Sequence, residues 1–159
     1  MAIDPRVAIG HVHLKVADID RSLGFYRDIL GFEVKARMPG AAFLAAGDYH
    51  HHIGMNTWES EGGSPPPPGT TGLFHTAFRY PTREQLAAVL RRLVRERAPL
   101  TGASDHLVSE ALYLDDPDGL GIELYRDRPR EEWPRADDGE VTMYNAPLDL
   151  EALLAEASS

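Results

Sequence analysis

The sequence predicts an α+β protein in which two βαβββ modules pair into one open, barrel-like mixed sheet. Three observations carry this. The order strand, helix, three strands occurs twice. Between the two occurrences lies Gly62-Gly63-Ser64 followed by Pro65 to Pro68, a stretch that can form neither helix nor interior strand and suits a stiff extended connector. Finally, His11-x-x-Leu14-Lys15-Val16 is echoed by His75-x-x-Phe78-Arg79-Tyr80, an offset of 64 residues (75 − 11). Each module alone would leave one face of its strands uncovered, which is the physical reason to expect a pair. The expected division of the single domain 1–159 is module one at 9–58, connector at 59–72, module two at 73–125 and a tail at 126–159.

Ile9 to Val16 reads as a strand with Val12, Leu14 and Val16 on one face and His11, His13 and Lys15 on the other. Asp18 and Asp20 supply N-cap chemistry. Leu23, Tyr26, Ile29 and Leu30 follow at helical spacing, and Gly31 suits the residue past the helix end. Phe32 to Met38, Ala41 to Ala46 and Tyr49 to Trp58 are the three strands that follow. In the second module Leu73 to Tyr80 is a strand, and Thr82 with Gln85 forms a capping box. The helix presents Leu86, Val89, Leu90, Leu93 and Val94 on one face as far as Ala98-Pro99. Leu100 to Thr101, Ser109 to Leu114 and Leu120 to Tyr125 are the remaining strands. The last two are joined by Asp115-Asp-Pro-Asp-Gly119, dense turn chemistry. Pro147 to Glu156 reads as a short amphipathic helix whose apolar face covers either a pocket mouth or a second subunit.

Composition narrows the function. The chain has 159 residues, 43% of them hydrophobic and 26% charged, ordinary values for a globular protein. A net charge of −9 argues against nucleic acid or an anionic membrane as partner. There are no cysteines, so disulfides and thiolate metal sites are excluded. No apolar run approaches spanning length and the N-terminus lacks a signal-peptide profile, so a cytoplasmic location is the expectation. Neither a nucleophile elbow nor a phosphate-cradling glycine loop is present.

The chemistry resides in the seven histidines and one carboxylate. His11 and His75 occupy equivalent places on the first strands of the two modules, opposite the apolar residues of those strands. Glu123 sits alone among uncharged residues, opposite Leu120, Ile122 and Leu124. A lone strand glutamate is as readily a solvent-facing residue, and a single histidine more often a structural one. Three such residues on repeat-related strands, all opposite the apolar face, point instead to a shared divalent metal, since a buried carboxylate needs a partner or a cation. Two imidazoles and a carboxylate leave open positions on an octahedral ion, as in non-haem Fe(II) sites. His13 shares the face of His11 and is expected to line the pocket.

Three stretches resemble the vicinal oxygen chelate superfamily, the glyoxalase, bleomycin-resistance and type I extradiol dioxygenase group, and most closely its single-domain catechol-2,3-dioxygenase-like members. They are the run from Gly10-His11 to Gly31-Phe32, Phe74-His75-Thr-Ala-Phe78, and Asp116-Pro-Asp-Gly-Leu-Gly-Ile-Glu123-Leu124. The resemblance implies metal ligation by His11, His75 and Glu123. It implies catalytic roles for Tyr113, ten residues before Glu123, for His51, and for His106 in Ser104-Asp-His106. Glyoxalase-like members add a fourth ligand at the position of Gly54, which has no side chain to offer. Strict alternation through Ile53 and Met55 aims His50 and His52 at the pocket where the motif selects His51; a bulge would reconcile them, and His52 is the rival pocket residue.

These readings make the chain a metal-dependent extradiol-type dioxygenase acting on a catechol-like aromatic diol and O2, with Fe(II) the first choice of metal and Mn(II), Ni(II) or Zn(II) the others. Many such enzymes carry a second pair of modules; with one pair, a homodimer is expected to supply the missing surface. The alternatives are a glyoxalase-like isomerase, lyase or hydrolase of a small carbonyl compound, and a small-molecule-binding resistance protein.

Overall fold

Alternating apolar and polar side chains, punctuated by turn residues, fold here as the pattern demands. The computed structural model describes residues 2–157 and divides into two units, Met1–Pro67 and Pro68–Ser159. In the first, β1 (Val12–Lys15) is followed by α1 (Ile19–Leu23), which runs on as one wide π-helical stretch, Gly24–Ile29, before β2 (Glu33–Met38), β3 (Ala41–Ala45) and β4 (Ile53–Asn56). Asp18 caps α1 by accepting from the Arg21 N–H. The chain leaves this helical segment through Gly31 at φ 90°, a left-handed turn that glycine makes without Cβ strain.

The second unit repeats the order with β5 (Thr76–Arg79), α2 (Arg83–Arg95), β6 (Gly102–Asp105), β7 (Ser109–Asp115) and β8 (Gly121–Asp127). Thr82 caps α2 through the Gln85 N–H. The helix stops at Arg95, with Arg97 at φ 55° turning the chain, ahead of Pro99. The tail adds β9 (Ala146–Pro147) and α3 (Leu150–Ala155).

The α+β class and the repeated βαβββ order are as the sequence predicts. The strands form two mixed sheets and not one, ordered β1-β4-β3-β2 and β5-β8-β7-β6-β9, and neither closes into a barrel. The reason lies in each module's pairing, for β1 lies parallel to its own β4 and β5 to its own β8. The weakly signalled strand at Leu100–Thr101 falls instead at Gly102–Asp105. Within the chain the tail helix lies against α2: α3 packs on α2, burying Leu153 completely, and Arg83 clasps Glu156 at 2.7 Å.

Each unit has its own apolar core. Leu14, Val16, Leu23, Tyr26, Leu44, Ile53 and Met55 fill the first, and Leu86, Leu90, Leu93, Leu112, Leu114, Ile122 and Leu124 the second. The inward and outward alternation of β8, with Ile122 and Leu124 buried and Glu123 half-buried, is the one read from sequence.

Within the second unit one carboxylate is buried under arginines. Glu110, 3% exposed, accepts from Arg126 at 2.7 Å and Arg83 at 3.0 Å, with Arg128 at 3.5 Å. Arg83 reaches on to α3 and Arg128 to Asp105 at 2.6 Å, so a single side chain ties α2, β6, β7, β8 and the tail. Removing one member of a buried charge cluster leaves the others uncompensated. Glu110→Ala is therefore expected to lose about 3 kcal/mol of stability, read as a lower urea midpoint; an unchanged midpoint would show that the arginines are satisfied by water.

Candidate active site

In the second unit the site grows from the β7–β8 hairpin. Asp116 accepts from the Asp118 and Leu120 N–H groups at 2.8 and 2.9 Å, and Gly119, at φ 76°, donates to the Asp116 carbonyl. That turn sets the register, and the register places Tyr113 directly across from Glu123. The ten-residue spacing noticed in sequence is thus the hairpin pairing itself. The Tyr113 phenol donates to Glu123 Oε1 at 3.0 Å, while His75 Nε2 lies 3.0 Å from Glu123 Oε2. Burial first, and then the charge and hydrogen bond of Glu123, push the Tyr113 phenol up to about 12, which favours its protonated, hydrogen-bond-donating form.

His75 precedes β5, where the chain crosses β8 so closely that a Cβ on Gly121 would collide with the Phe74 carbonyl and stand 3.2 Å from the His75 Cβ. Gly121 is what lets His75 descend onto Glu123. A glycine inside a strand pattern was the available signal for this close approach. Phe74, expected on the apolar face, is instead 90% exposed, because strand geometry begins only at Thr76.

His106 completes the group. It follows β6 in a tight turn to β7, with its N–H on the Ser109 carbonyl and Asp105 Oδ1 accepting from the Leu107 N–H. Leu107 stands at φ 64°, a left-handed conformation that costs a leucine about 1–3 kcal/mol and that recurs at functional turns. His106 Nε2 lies 2.8 Å from the Tyr113 hydroxyl and Nδ1 2.9 Å from the Tyr144 carbonyl. One hydrogen-bonded chain therefore runs from the tail through His106, Tyr113 and Glu123 to His75.

In the first unit a separate histidine group forms. His11 precedes β1, and its ring centroid lies 4.5 Å from that of His51, which also packs edge-on to Phe43 at 5.2 Å. His50 Nδ1 is 2.7 Å from His51 Nδ1. Burial first, then the neighbouring His11, His50, His13 and His52, lower the His51 pKa below the ordinary histidine value, which favours the neutral, proton-accepting imidazole. His52 turns away: its Nδ1 accepts from the Ala46 N–H at 3.3 Å and its ring lies beside Tyr49. The alternation argument for His50 and His52 fails because β4 starts at Ile53, leaving the three histidines in the preceding loop, and no bulge is needed.

His13 pairs with Gly54 across the parallel β1–β4 ladder. Its Nε2 is 2.8 Å from Asn56 Nδ2, and Asn56 Oδ1 accepts from the Trp58 N–H at 3.2 Å. The second bond orients the amide so that Nδ2 donates and His13 carries its proton on Nδ1. A Cβ on Gly54 would stand 2.7 Å from that Nδ1. The space where a fourth ligand would grow is taken by the His13 ring, and Asn56 was not visible as its anchor in sequence.

Among the described residues no three His, Asp or Glu side chains form a ready metal-holding group. His75 Nε2 and Glu123 Oε2, facing one another, fit a divalent cation as an imidazole and carboxylate donor pair. His75 Nδ1 is buried with no hydrogen-bond partner.

The repeated βαβββ order is shared with known proteins of one family. Residues 8–124 match the Glyoxalase/Bleomycin resistance protein/Dioxygenase superfamily, and the chain belongs to that family. It is 40% identical over 149 residues to a catechol-2,3-dioxygenase of Bacillus subtilis, covering 94% of this chain and 52% of that protein. It is 33% identical over 133 residues to biphenyl-2,3-diol 1,2-dioxygenase 3 of Rhodococcus globerulus, covering 80% and 66%. The chain thus spans about half to two thirds of the length of these relatives. A solved glyoxalase/dioxygenase structure from Nostoc punctiforme matches with a TM-score of 0.66 at 21% identity, covering 81% of this chain and 98% of that one, a likeness of fold.

The Gly54 contact makes a separable prediction. Gly54→Ala forces the His13 ring aside and is expected to cost about 1–3 kcal/mol, the range of overpacking changes. Adding His13→Ala should recover part of that loss in a double-mutant cycle of thermal stability; strictly additive losses would mean the two residues do not touch.

Proposed function

We propose that this chain is an extradiol-type ring-cleaving dioxygenase acting on a catechol-like aromatic diol. The single observation that carries the reading is the chain of hydrogen bonds from His106 through Tyr113 to Glu123 and His75. It puts a phenol and an imidazole beside the donor pair, which suits a substrate with two ionisable hydroxyls. His75 and Glu123, with His11, are the proposed metal ligands. Bound there, a divalent metal, with Fe(II) the first choice, supplies the Lewis acidity and redox chemistry that ring opening by O2 requires.

The chain's own residues do the rest. Tyr113 holds a diol oxygen by hydrogen bond, and His106 stands behind it to take or return a proton. The neutral His51 imidazole is the proposed acid–base group, since proton transfer by a positioned histidine contributes about a hundredfold or more. His13, turned over Gly54, fills the place of a fourth protein ligand and is the proposed pocket residue of this reading. His52, bonded back to Ala46, has no catalytic part in this reading.

The test joins metal content to turnover. Protein loaded with Fe(II) under anaerobic conditions is offered monocyclic and bicyclic diols, and oxygen uptake is followed with the yellow ring-opened product. One O2 consumed per ring is expected. His51→Phe should slow turnover by about a hundredfold with iron retained, whereas His11→Ala and Glu123→Ala should lose the metal with the fold intact. Full iron occupancy with no diol cleaved would move the assignment to carbonyl chemistry.

A homodimer is part of this reading, symmetric pairing being the commonest assembly of soluble chains. Light scattering at micromolar concentration is expected to give twice the chain mass, and a monomer would remove this part of the proposal.

A further inference from the structure

The tail takes part in the hydrogen-bonded chain through its backbone. Tyr144 donates its N–H to the His106 carbonyl at 3.3 Å and offers its own carbonyl to His106 Nδ1 at 2.9 Å. The residue is 58% exposed, so burial of its side chain does not account for the placement. The segment is anchored on both sides. Behind it Trp133 Nε1 bonds the Arg128 carbonyl at 2.8 Å and Thr142 donates to the Pro134 carbonyl at 2.9 Å. Ahead, β9 pairs with β6, Ala146 with Asp105 and Pro147 with Ser104, and α3 is clasped by Arg83.

A carbonyl oxygen can only accept. The nitrogen facing it must therefore carry a proton, and in a neutral imidazole the other nitrogen is then bare. The bare nitrogen here is Nε2, 2.8 Å from the Tyr113 hydroxyl, whose single proton it competes for with Glu123 Oε1 at 3.0 Å. With the opposite tautomer Nε2–H would face the phenol and Nδ1 would set a lone pair against the Tyr144 carbonyl, two acceptors 2.9 Å apart.

We propose that the main-chain carbonyl of Tyr144 is a positioning group for His106, locking the Nδ1–H tautomer so that Nε2 is the proton-accepting face presented to Tyr113. The tail from residue 141 onward is then a working part of the site. This rests on the ring-cleaving reading for its catalytic consequence, but the tautomer itself does not. It also explains why Asp105 and Leu107 hold so tight a turn: the ring must meet the tail on one side and the phenol on the other.

The test reads the tautomer directly. Nitrogen NMR of the metal-free protein, recorded above the ordinary histidine titration range, is expected to show His106 protonated at Nδ1 and bare at Nε2. Tyr144→Pro deletes the N–H that holds the segment to the His106 carbonyl. It should mix the two tautomers and, in iron-loaded protein, lower kcat about tenfold or more with KM for the diol little changed, the scale of loss for groups that orient a first partner. Should that variant fail to fold, the wild-type spectrum decides alone: a proton on Nε2 with Nδ1 bare overturns the proposal. So does a folded Tyr144→Pro that keeps both the tautomer and full turnover. Because the spectrum needs neither metal nor diol, absence of ring cleavage counts against the proposed reaction and leaves the tautomer result standing.

Discussion

Glu123 divides its two carboxylate oxygens between His75 and Tyr113, and the second unit is arranged so that it can. A carboxylate half-withdrawn from water must find partners or shift its charge state. The phenol comes from the neighbouring strand β7 and the imidazole from the residue just ahead of β5. The antiparallel β7–β8 register delivers the phenol, and the parallel β5–β8 register delivers the imidazole once Gly121 allows the chains to cross. A shift of one residue in either ladder would send the partner to the opposite face. The Asp-rich turn that pins the hairpin is therefore part of the chemistry as much as of the fold.

Charge is handled in two distinct ways in this unit. Around Glu110 the arginines are permanent cations, and the cluster serves to bind α2, the tail and three strands into one piece. Around Glu123 the partners are a phenol and an imidazole, groups that can share or surrender a proton. The first arrangement gives rigidity; the second leaves room for a cation and a substrate. Arg128 connects them, since it joins the Glu110 cluster to Asp105, which in turn caps the turn carrying His106.

The first unit reaches a comparable result by different means. Among the described residues its imidazoles are placed by aromatic packing and by one oriented amide. His51 gains its place from His11 and Phe43, and His13 from Asn56. The absence of a side chain at Gly54 is what makes that geometry available, so the glycine acts by admitting a ring.

Sequence by itself determined the two βαβββ modules, the caps at Asp18 and Thr82 and the hairpin turn. Each of these is written in local periodicity or in turn chemistry over a few residues. It also singled out His51, but only through resemblance, because period-two alternation presumed a strand where the chain makes a loop. What tertiary structure decided were contacts between residues distant in the chain: His75 lowered over Gly121, His13 seated on Gly54 and held by Asn56, the tail helix laid on α2, and the Tyr144 carbonyl set against His106. A main-chain carbonyl has no side-chain signature, and the room above a glycine depends on which strand pairs beside it. Such features arise only when ladders and helices from far-apart stretches are brought to fixed distances.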